Sequence, residues 1–408
     1  MWAVAVALFL LQTPDYDSAG AKALDAGNYQ AAIEAFQKAA EADPKDYFAH
    51  FNLGLAYTML HRDAEGIAEY RKTLELKPRL YEAELNGGIL MLRQKNPADA
   101  LPLLEDAAEQ KPEEFRPRYY AAEAERQTGA FDKAEASYQR ALALNPKSGD
   151  AELGLAHVLA QQERLADAAP HFRQAAELDP KLRSYLLELA QLYEKAKQPQ
   201  DAIVIYREFP DNPAAQTQLN ELLMENKRYA DALPGLEAAY AKNPTQANRT
   251  DLARAYLLGG HADQALPLLD AAVAAEPSNC DLRLVYARAL RDRKQYQAAA
   301  NQFVAAAKLK PNEAQTWSEL GGMLYLIGAF EPSLQAFDRA RALGENTAGN
   351  WFLRAIILDK LRHAKPEYMK QAIEAYRQFL SMSQGKNPDQ EFQARQRARI
   401  LQNELEKR

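Results

Sequence analysis

The sequence predicts an all-α solenoid of about eleven stacked helix–turn–helix repeats, closed by a C-terminal capping helix. Three observations support this fold class: prolines recur at a nearly constant interval, each interval contains a small residue four positions before a large one, and a turn signal precedes that pair. The composition agrees, because 47% hydrophobic and 26% charged residues are typical of a folded chain.

Nine prolines divide most of the chain into segments of similar length. The first five follow one another at intervals of 34 residues, and the others follow at 33, 31, 33 and 34. Proline cannot continue a helix, and it moves the preceding residue out of helical geometry. Each proline therefore marks the end of one repeat. They are Pro44, Pro78, Pro112, Pro146, Pro180, Pro213, Pro244, Pro277 and Pro311.

The second helix of each predicted repeat carries a small residue followed four positions later by a large apolar or aromatic one. Residues four apart share a helix face, so the small residue lets a neighbouring helix approach and the large one fills the space beside it. We therefore expect these pairs to be buried. They are Ala32/Phe36, Gly66/Tyr70, Ala100/Leu104, Ala134/Tyr138, Ala168/Phe172, Ala202/Tyr206, Ala232/Leu236, Ala265/Leu269, Ala299/Phe303, Ser333/Phe337 and Ala372/Tyr376.

Glycines and aromatic residues mark the turn between the two helices of a repeat. Glycine adopts the left-handed conformation that ends many helices. The glycines at this position are Gly27, Gly129, Gly260 and Gly328. The aromatic residues that then begin the second helix are Tyr29, Phe131, Tyr229, Tyr296 and Phe330.

Together these residues resemble the tetratricopeptide repeat, whose pattern is W-x2-L-G-x2-Y, then A-x3-F, then P. The tenth repeat has Trp317, Leu320, Gly321 and Leu324, followed by Phe337. The resemblance covers roughly residues 13–383. It implies a right-handed superhelical solenoid whose first helices line a concave groove that holds extended or helical peptides.

The pattern divides the chain into four parts. Residues 1–12 are a candidate signal or apolar segment, 13–212 hold repeats one to six, 213–383 hold repeats seven to eleven, and 388–408 form the capping helix. The sixth repeat is four residues short, and the eleventh gains about five between its helices, near His363–Tyr368. These departures are either harmless drift or a change of curvature that separates two binding surfaces.

The run Trp2–Leu11 consists of ten apolar residues. It is too short to span a bilayer as a helix, and its length fits the apolar part of a secretory signal. No Lys or Arg precedes it, and no small-x-small cleavage site follows it. We therefore predict an exported, periplasmic or envelope-associated protein. The alternative is a cytoplasmic protein in which this run packs on the first repeat.

Several classes of function find no support in the sequence. A net charge of −6 argues against a general nucleic-acid binder, which needs a basic surface. The single Cys280 allows neither a disulfide within the chain nor a Cys-ligated zinc site. The six histidines fall in different repeats, and no nucleotide-binding or hydrolase motif is present. We predict no catalytic residue, no metal site and no cofactor.

The predicted partner-binding residues follow from the groove positions of the resembled family. An exposed apolar patch usually marks an interaction site, and arginine clusters recognise anions. The residues are Phe48, Phe51, Leu55, Met59, Leu85, Ile89, Leu92, Arg254, Arg288 and Arg291. The apolar members could instead pack between helices or be covered by residues 2–11. The arginines could instead pair with Asp251, Asp281 or Asp292.

These observations favour a non-catalytic scaffold that binds a protein or peptide. Two alternatives are a structural spacer or assembly factor in a cell-envelope complex, and an enzyme accessory or cryptic hydrolase. The carboxylate clamp of chaperone-binding relatives is not supported, because Asp17 and Ala21 stand at its first two positions.

Overall fold

The computed structural model describes residues 15–407, and the chain divides into two units after Pro210. The described part of the first unit contains α1 (Tyr16–Asp25), α2 (Tyr29–Ala42), α3 (Tyr47–Met59), α4 (Asp63–Leu76), α5 (Tyr81–Arg93), α6 (Pro97–Gln110), α7 (Phe115–Gln127), α8 (Phe131–Leu144), α9 (Gly149–Gln161), α10 (Leu165–Leu178), a 3-10 helix (Pro180–Ser184), α11 (Tyr185–Lys195) and α12 (Pro199–Arg207). The second contains α13 (Pro213–Glu225), α14 (Tyr229–Lys242), α15 (Gln246–Leu258), α16 (Ala262–Ala275), α17 (Cys280–Asp292), α18 (Tyr296–Leu309), α19 (Ala314–Leu326), α20 (Phe330–Ala342), α21 (Ala348–Lys360), α22 (Pro366–Ser383) and α23 (Pro388–Glu406).

Within each unit, every helix packs against the next helix along the chain. Odd-numbered helices are the first members of helix–turn–helix pairs and even-numbered helices are the second members, with α23 left over at the end. Some first helices also contact the first helix of the next pair, as α3 contacts α5 and α5 contacts α7. The predicted all-α array of stacked helix pairs is therefore confirmed.

The core of each pair forms where the sequence predicts it. All eleven small/large pairs of the second helices are buried. The first helices approach them closely, because a Cβ added at Gly54, Gly88 or Gly321 would lie 3.0, 2.6 or 2.8 Å from the side chain sixteen residues later. Close approach of this kind needs a residue without a side chain.

The turns also follow the prediction, with one addition. Gly27, Gly129, Gly260 and Gly328 all have positive φ, between 71° and 83°, and the five predicted aromatic residues begin their helices. Six turns place another residue in this left-handed conformation. Those residues are His61, Lys95, Glu163, Lys197, Lys227 and Lys294. The strain is tolerated because the following amide bonds back into the helix, as Asn96 N–H does to the Met91 carbonyl at 2.9 Å.

The two irregular repeats are visible as helices of unusual length. The helix α12 has only 9 residues and follows the 3-10 helix, whereas α22 has 18 residues after a longer turn. At the C-terminus, α23 packs on α22 and buries Ala394 and Leu401, as expected of the capping helix. The predicted N-terminal segment, residues 1–12, lies outside the described residues.

Between residues 15 and 407, no helix combines the length and the apolar character that a membrane span requires. The same residues contain no group of three or more His, Cys, Asp or Glu side chains arranged to hold a metal ion.

Candidate interaction surfaces

The first candidate surface is an apolar stripe along α3, formed by Phe48, Phe51, Leu55 and Met59. We call it the α3 surface. The spacing of three and four residues places these side chains along one side of the helix. Phe48 is 45% exposed and Met59 is 46% exposed, whereas Phe51 and Leu55 are half-buried.

The two phenylalanines of the α3 surface are anchored by aromatic contacts. The ring of Phe48 meets Phe36 edge-on at 6.4 Å between centroids, and the ring of Phe51 lies 5.9 Å from that of Tyr70. Both partners belong to the buried core of the second helices. The rings are therefore held in place while Phe48 keeps nearly half of its surface open to solvent.

The predicted exposure of Leu85 and Leu92 on α5 is wrong. Both are buried in one apolar cluster with Ala121 and Ala124 of α7. Alanines on the facing helix allow close packing, so these leucines fill the interface between two first helices instead of facing solvent. Ile89 is only half-buried and packs against the same cluster.

Arg288 and Arg291 of α17 share one carboxylate from the next repeat. Arg288 donates to both oxygens of Glu319, at 2.7 Å from Nη2 and 3.0 Å from Nε. Arg291 Nη1 lies 3.5 Å from the same carboxylate, and its Nε donates to Asp292 at 2.9 Å. Of the predicted internal partners, only Asp292 is used, and the main partner was not predicted.

A repeat-to-repeat offset in the sequence could have revealed this partner. Glu319 lies 31 residues after Arg288, and Glu188 lies 31 residues after His157, whose Nε2 is 3.3 Å from it. This offset is one repeat length less three residues, so it joins equivalent faces of neighbouring first helices. The same offset from Arg254 reaches Val285, which cannot pair with it.

Arg254 lines a pocket of about 300 Å³ formed by α13, α14 and α15, which we call the Asn220 pocket. No ion pair joins Arg254 to a carboxylate among the residues the structure describes. The pocket residues are Thr217, Asn220, Glu221, Met224, Leu236, Ala239, Asn248, Asp251 and Arg254. Only Arg254 of this set was predicted as a site residue.

A polar network on α7 and α8 was not predicted either. The carboxylate of Glu123 accepts hydrogen bonds from Tyr138 Oη at 2.7 Å, from Gln127 at 2.7 Å and from Arg126 Nε at 3.3 Å. Burial alone would raise the pKa of Glu123, but the hydrogen bonds from Arg126, Gln127 and Tyr138 lower it. Arg126 also lines an open pocket of about 450 Å³ with His157 and Glu188.

Three exposed apolar residues of the second unit were also missed. Leu258, Val285 and Leu326 are 51%, 39% and 49% exposed on α15, α17 and α19. Leu258 and Leu326 are the last residues of their helices, as Met59 is of α3. Exposed apolar residues, paired charges and amides suit the recognition of polypeptide chains.

Stacked helix pairs with a small/large core and left-handed turns define a helical repeat protein. The family model of the tetratricopeptide repeat matches residues 18–80, 85–149, 153–216, 250–314 and 284–348. The chain belongs to the tetratricopeptide repeat family. It is a protein-interaction scaffold in the general sense of that family.

The chain is similar to two longer curated proteins over about half of its own length. It is 28% identical to cellulose synthase operon protein C of Xanthomonas axonopodis pv. citri (strain 306) over 245 residues, which are 54% of this chain and 16% of that protein. It is 25% identical to the human protein O-mannosyl-transferase TMTC1 over 222 residues, which are 53% of this chain and 22% of that protein. The chain thus spans less than a quarter of either relative.

Among solved structures, the chain resembles MamA (MSR-1, C2). The two are 28% identical, and the alignment covers 41% of this chain and 95% of that one with a TM-score of 0.38.

Proposed function

We propose that this chain is a non-catalytic scaffold that binds a peptide or protein partner across the α3 surface. The observation that supports the proposal best is the exposure of Phe48 and Met59 at the two ends of that surface. Fully burying either side chain would contribute about 1.5–3 kcal/mol, so the pair is a sufficient apolar anchor for a short helix or strand.

The dimensions of the α3 surface suit such a segment. Phe48 and Met59 are eleven residues apart on one helix, which corresponds to about 16 Å along the axis. Phe51 and Leu55 lie between them and keep the stripe apolar along its length. An amphipathic helix of about three turns would cover it by placing its own apolar side along α3.

We also propose that the protein is exported and acts in the cell envelope. The apolar run Trp2–Leu11 is the observation that supports export, because its length and composition suit a secretory signal. An exported repeat protein with an exposed apolar surface would serve to hold the components of an envelope assembly together.

Affinity capture from the native host tests the binding proposal. The full chain is compared with the double variant Phe48→Ala/Met59→Ala and with the control Val204→Ala/Phe392→Ala, which removes apolar side chains of similar exposure from α12 and α23. The test variant should retain the partner at least tenfold less well, and the control should match the wild type. Equal capture by all three proteins would contradict the proposal and favour the spacer.

A further inference from the structure

Asn220 of α13 occupies a position at which the other first helices of the second unit carry only glycine or alanine. It is the eighth residue of its helix, and the eighth residues of α15, α17, α19 and α21 are Ala253, Ala287, Gly321 and Ala355. Each of these small residues is buried. A polar amide has therefore been placed where the fold requires only a small residue.

The amide of Asn220 is buried without a partner. The side chain is 8% exposed and makes no hydrogen bond to any residue that the structure describes. Asn52 of α3 is buried to the same 8%, but its Nδ2 donates to the Phe48 carbonyl at 2.8 Å. Buried amides are normally satisfied, so Asn220 retains a donor and an acceptor for a molecule that enters the pocket.

The chain also makes room for this amide. A Cβ added at Gly235 of α14 would overlap Oδ1 of Asn220, so no other residue fits at position 235 while Asn220 is present. Glycine inside a helix is unfavourable relative to alanine. The protein therefore accepts two unfavourable features, an unpaired amide and a helical glycine, in order to keep Asn220 facing the pocket.

The other residues of the Asn220 pocket indicate what it binds. Met224 and Leu236 offer an apolar wall, and Arg254 offers donors with no carboxylate bound to them. Glu221 and Asp251 outnumber the single guanidinium, so the rim is acidic and disfavours an anion. The anion site predicted at Arg254 and Arg288 therefore fits neither residue well, because Arg288 is already paired with Glu319.

We propose that the Asn220 pocket binds an extended peptide segment in which an apolar residue adjoins a lysine or arginine. The amide of Asn220 pairs with the N–H and C=O of one main-chain peptide unit, and Arg254 donates to a neighbouring carbonyl. Met224 and Leu236 contact the apolar side chain, and Glu221 and Asp251 contact the basic one. This site extends the proposed scaffold function and shares no residue with the α3 surface.

A stability comparison tests the first half of the inference without a ligand. The double variant Asn220→Ala/Gly235→Ala restores the small residue and removes the helical glycine, so its melting temperature should equal or exceed that of the wild type. Gly235→Ala alone should lower the melting temperature, because its Cβ collides with Asn220. A double variant less stable than the wild type would overturn the inference, since Asn220 would then be a structural residue.

A binding experiment tests the second half. The immobilised full chain is panned against a random dodecapeptide library, and enriched peptides are titrated individually. The wild type and Phe48→Ala/Met59→Ala should both select peptides with an apolar residue beside Lys or Arg. Asn220→Ala/Gly235→Ala should bind the same peptides at least tenfold more weakly.

Two results would overturn the inference. One is that the wild type enriches no such peptide. The other is that the enriched peptides bind Asn220→Ala/Gly235→Ala as well as they bind the wild type. If those peptides instead lose affinity for Phe48→Ala/Met59→Ala, the Asn220 pocket is rejected while the α3 surface is supported.

Discussion

Arg397 of the capping helix holds both carboxylate oxygens of Asp359 on α21. Its Nε donates to Oδ2 at 2.7 Å and its Nη2 donates to Oδ1 at 2.8 Å. Asp359 is buried, and Arg362 Nη1 and Tyr376 Oη add hydrogen bonds at 3.2 and 3.3 Å. Charge-assisted pairs of this geometry are stronger than ordinary hydrogen bonds. This pair therefore fastens the cap to the last repeat.

Removing Arg397 should loosen the cap. Arg397→Ala leaves Asp359 buried with only its weaker partners, so we expect a loss of about 1–3 kcal/mol in the unfolding free energy. The matched control is Arg399→Ala, an exposed arginine on the same helix, which should change it by less than about 0.5 kcal/mol. Chemical denaturation followed by circular dichroism measures both. Equal stabilities for the two variants would show that the pair does not hold the cap.

Overpacking the helix crossings should destabilise the array. Ala134, Ala168 and Ala299 have no exposed surface, so replacing any one with leucine should cost about 1–3 kcal/mol. Ala136→Leu, on an exposed face of the same helix as Ala134, is the control and should leave the melting temperature close to that of the wild type. Wild-type melting temperatures for all three buried substitutions would contradict the assigned core.

Glu84 should make the stability of the first unit depend on pH. Burial and the neighbouring Asp106 raise the pKa of this carboxyl from 4.5 to about 7, although Gln110 donates to it at 2.5 Å. The folded state therefore binds the proton more tightly than the unfolded state. The stability that the proton contributes is complete below the unfolded pKa and is lost as pH rises through 7.

Glu84→Gln tests this dependence, because glutamine can donate to Asp106 at every pH. The variant should match the wild type near pH 4.5 and exceed its unfolding free energy by about 1–3 kcal/mol at pH 8. Thermal melts between pH 4.5 and 8.5 measure the difference. A difference that stays constant over this range would rule out a raised pKa for Glu84.

The N-terminus of the protein from its native host should begin after residue 12. Export would remove the apolar run Trp2–Leu11, and intact-mass measurement reads the remaining chain directly. A mass that includes Met1 or Trp2 would argue for retention of this segment and for the cytoplasmic alternative.

The fold could be predicted because its signals are local. Pro44 stops a helix wherever it lies, Gly129 takes a left-handed turn at little cost, and Ala134 with Tyr138 shares one helix face whatever packs against it. Each of these rules acts within a few residues of the chain. Repetition then supplied the stacking, because one helix pair cannot bury its apolar face alone.

The site was less predictable because it depends on which residues face one another across repeats. Leu85 and Leu92 were expected in solvent, but the small Ala121 and Ala124 of α7 bury them. Asn220 was overlooked because its lack of a partner is visible only in three dimensions.

Site-specific photo-crosslinking tests the central claim most directly. A photoreactive amino acid is placed at position 48 on the α3 surface and, as a control, at position 204, where Val204 is 54% exposed on α12. Each full-length protein is irradiated in its native host, and adducts are identified by mass spectrometry. We expect one partner polypeptide to crosslink from position 48 and not from position 204. A partner that crosslinks from position 204 alone would contradict binding at the α3 surface.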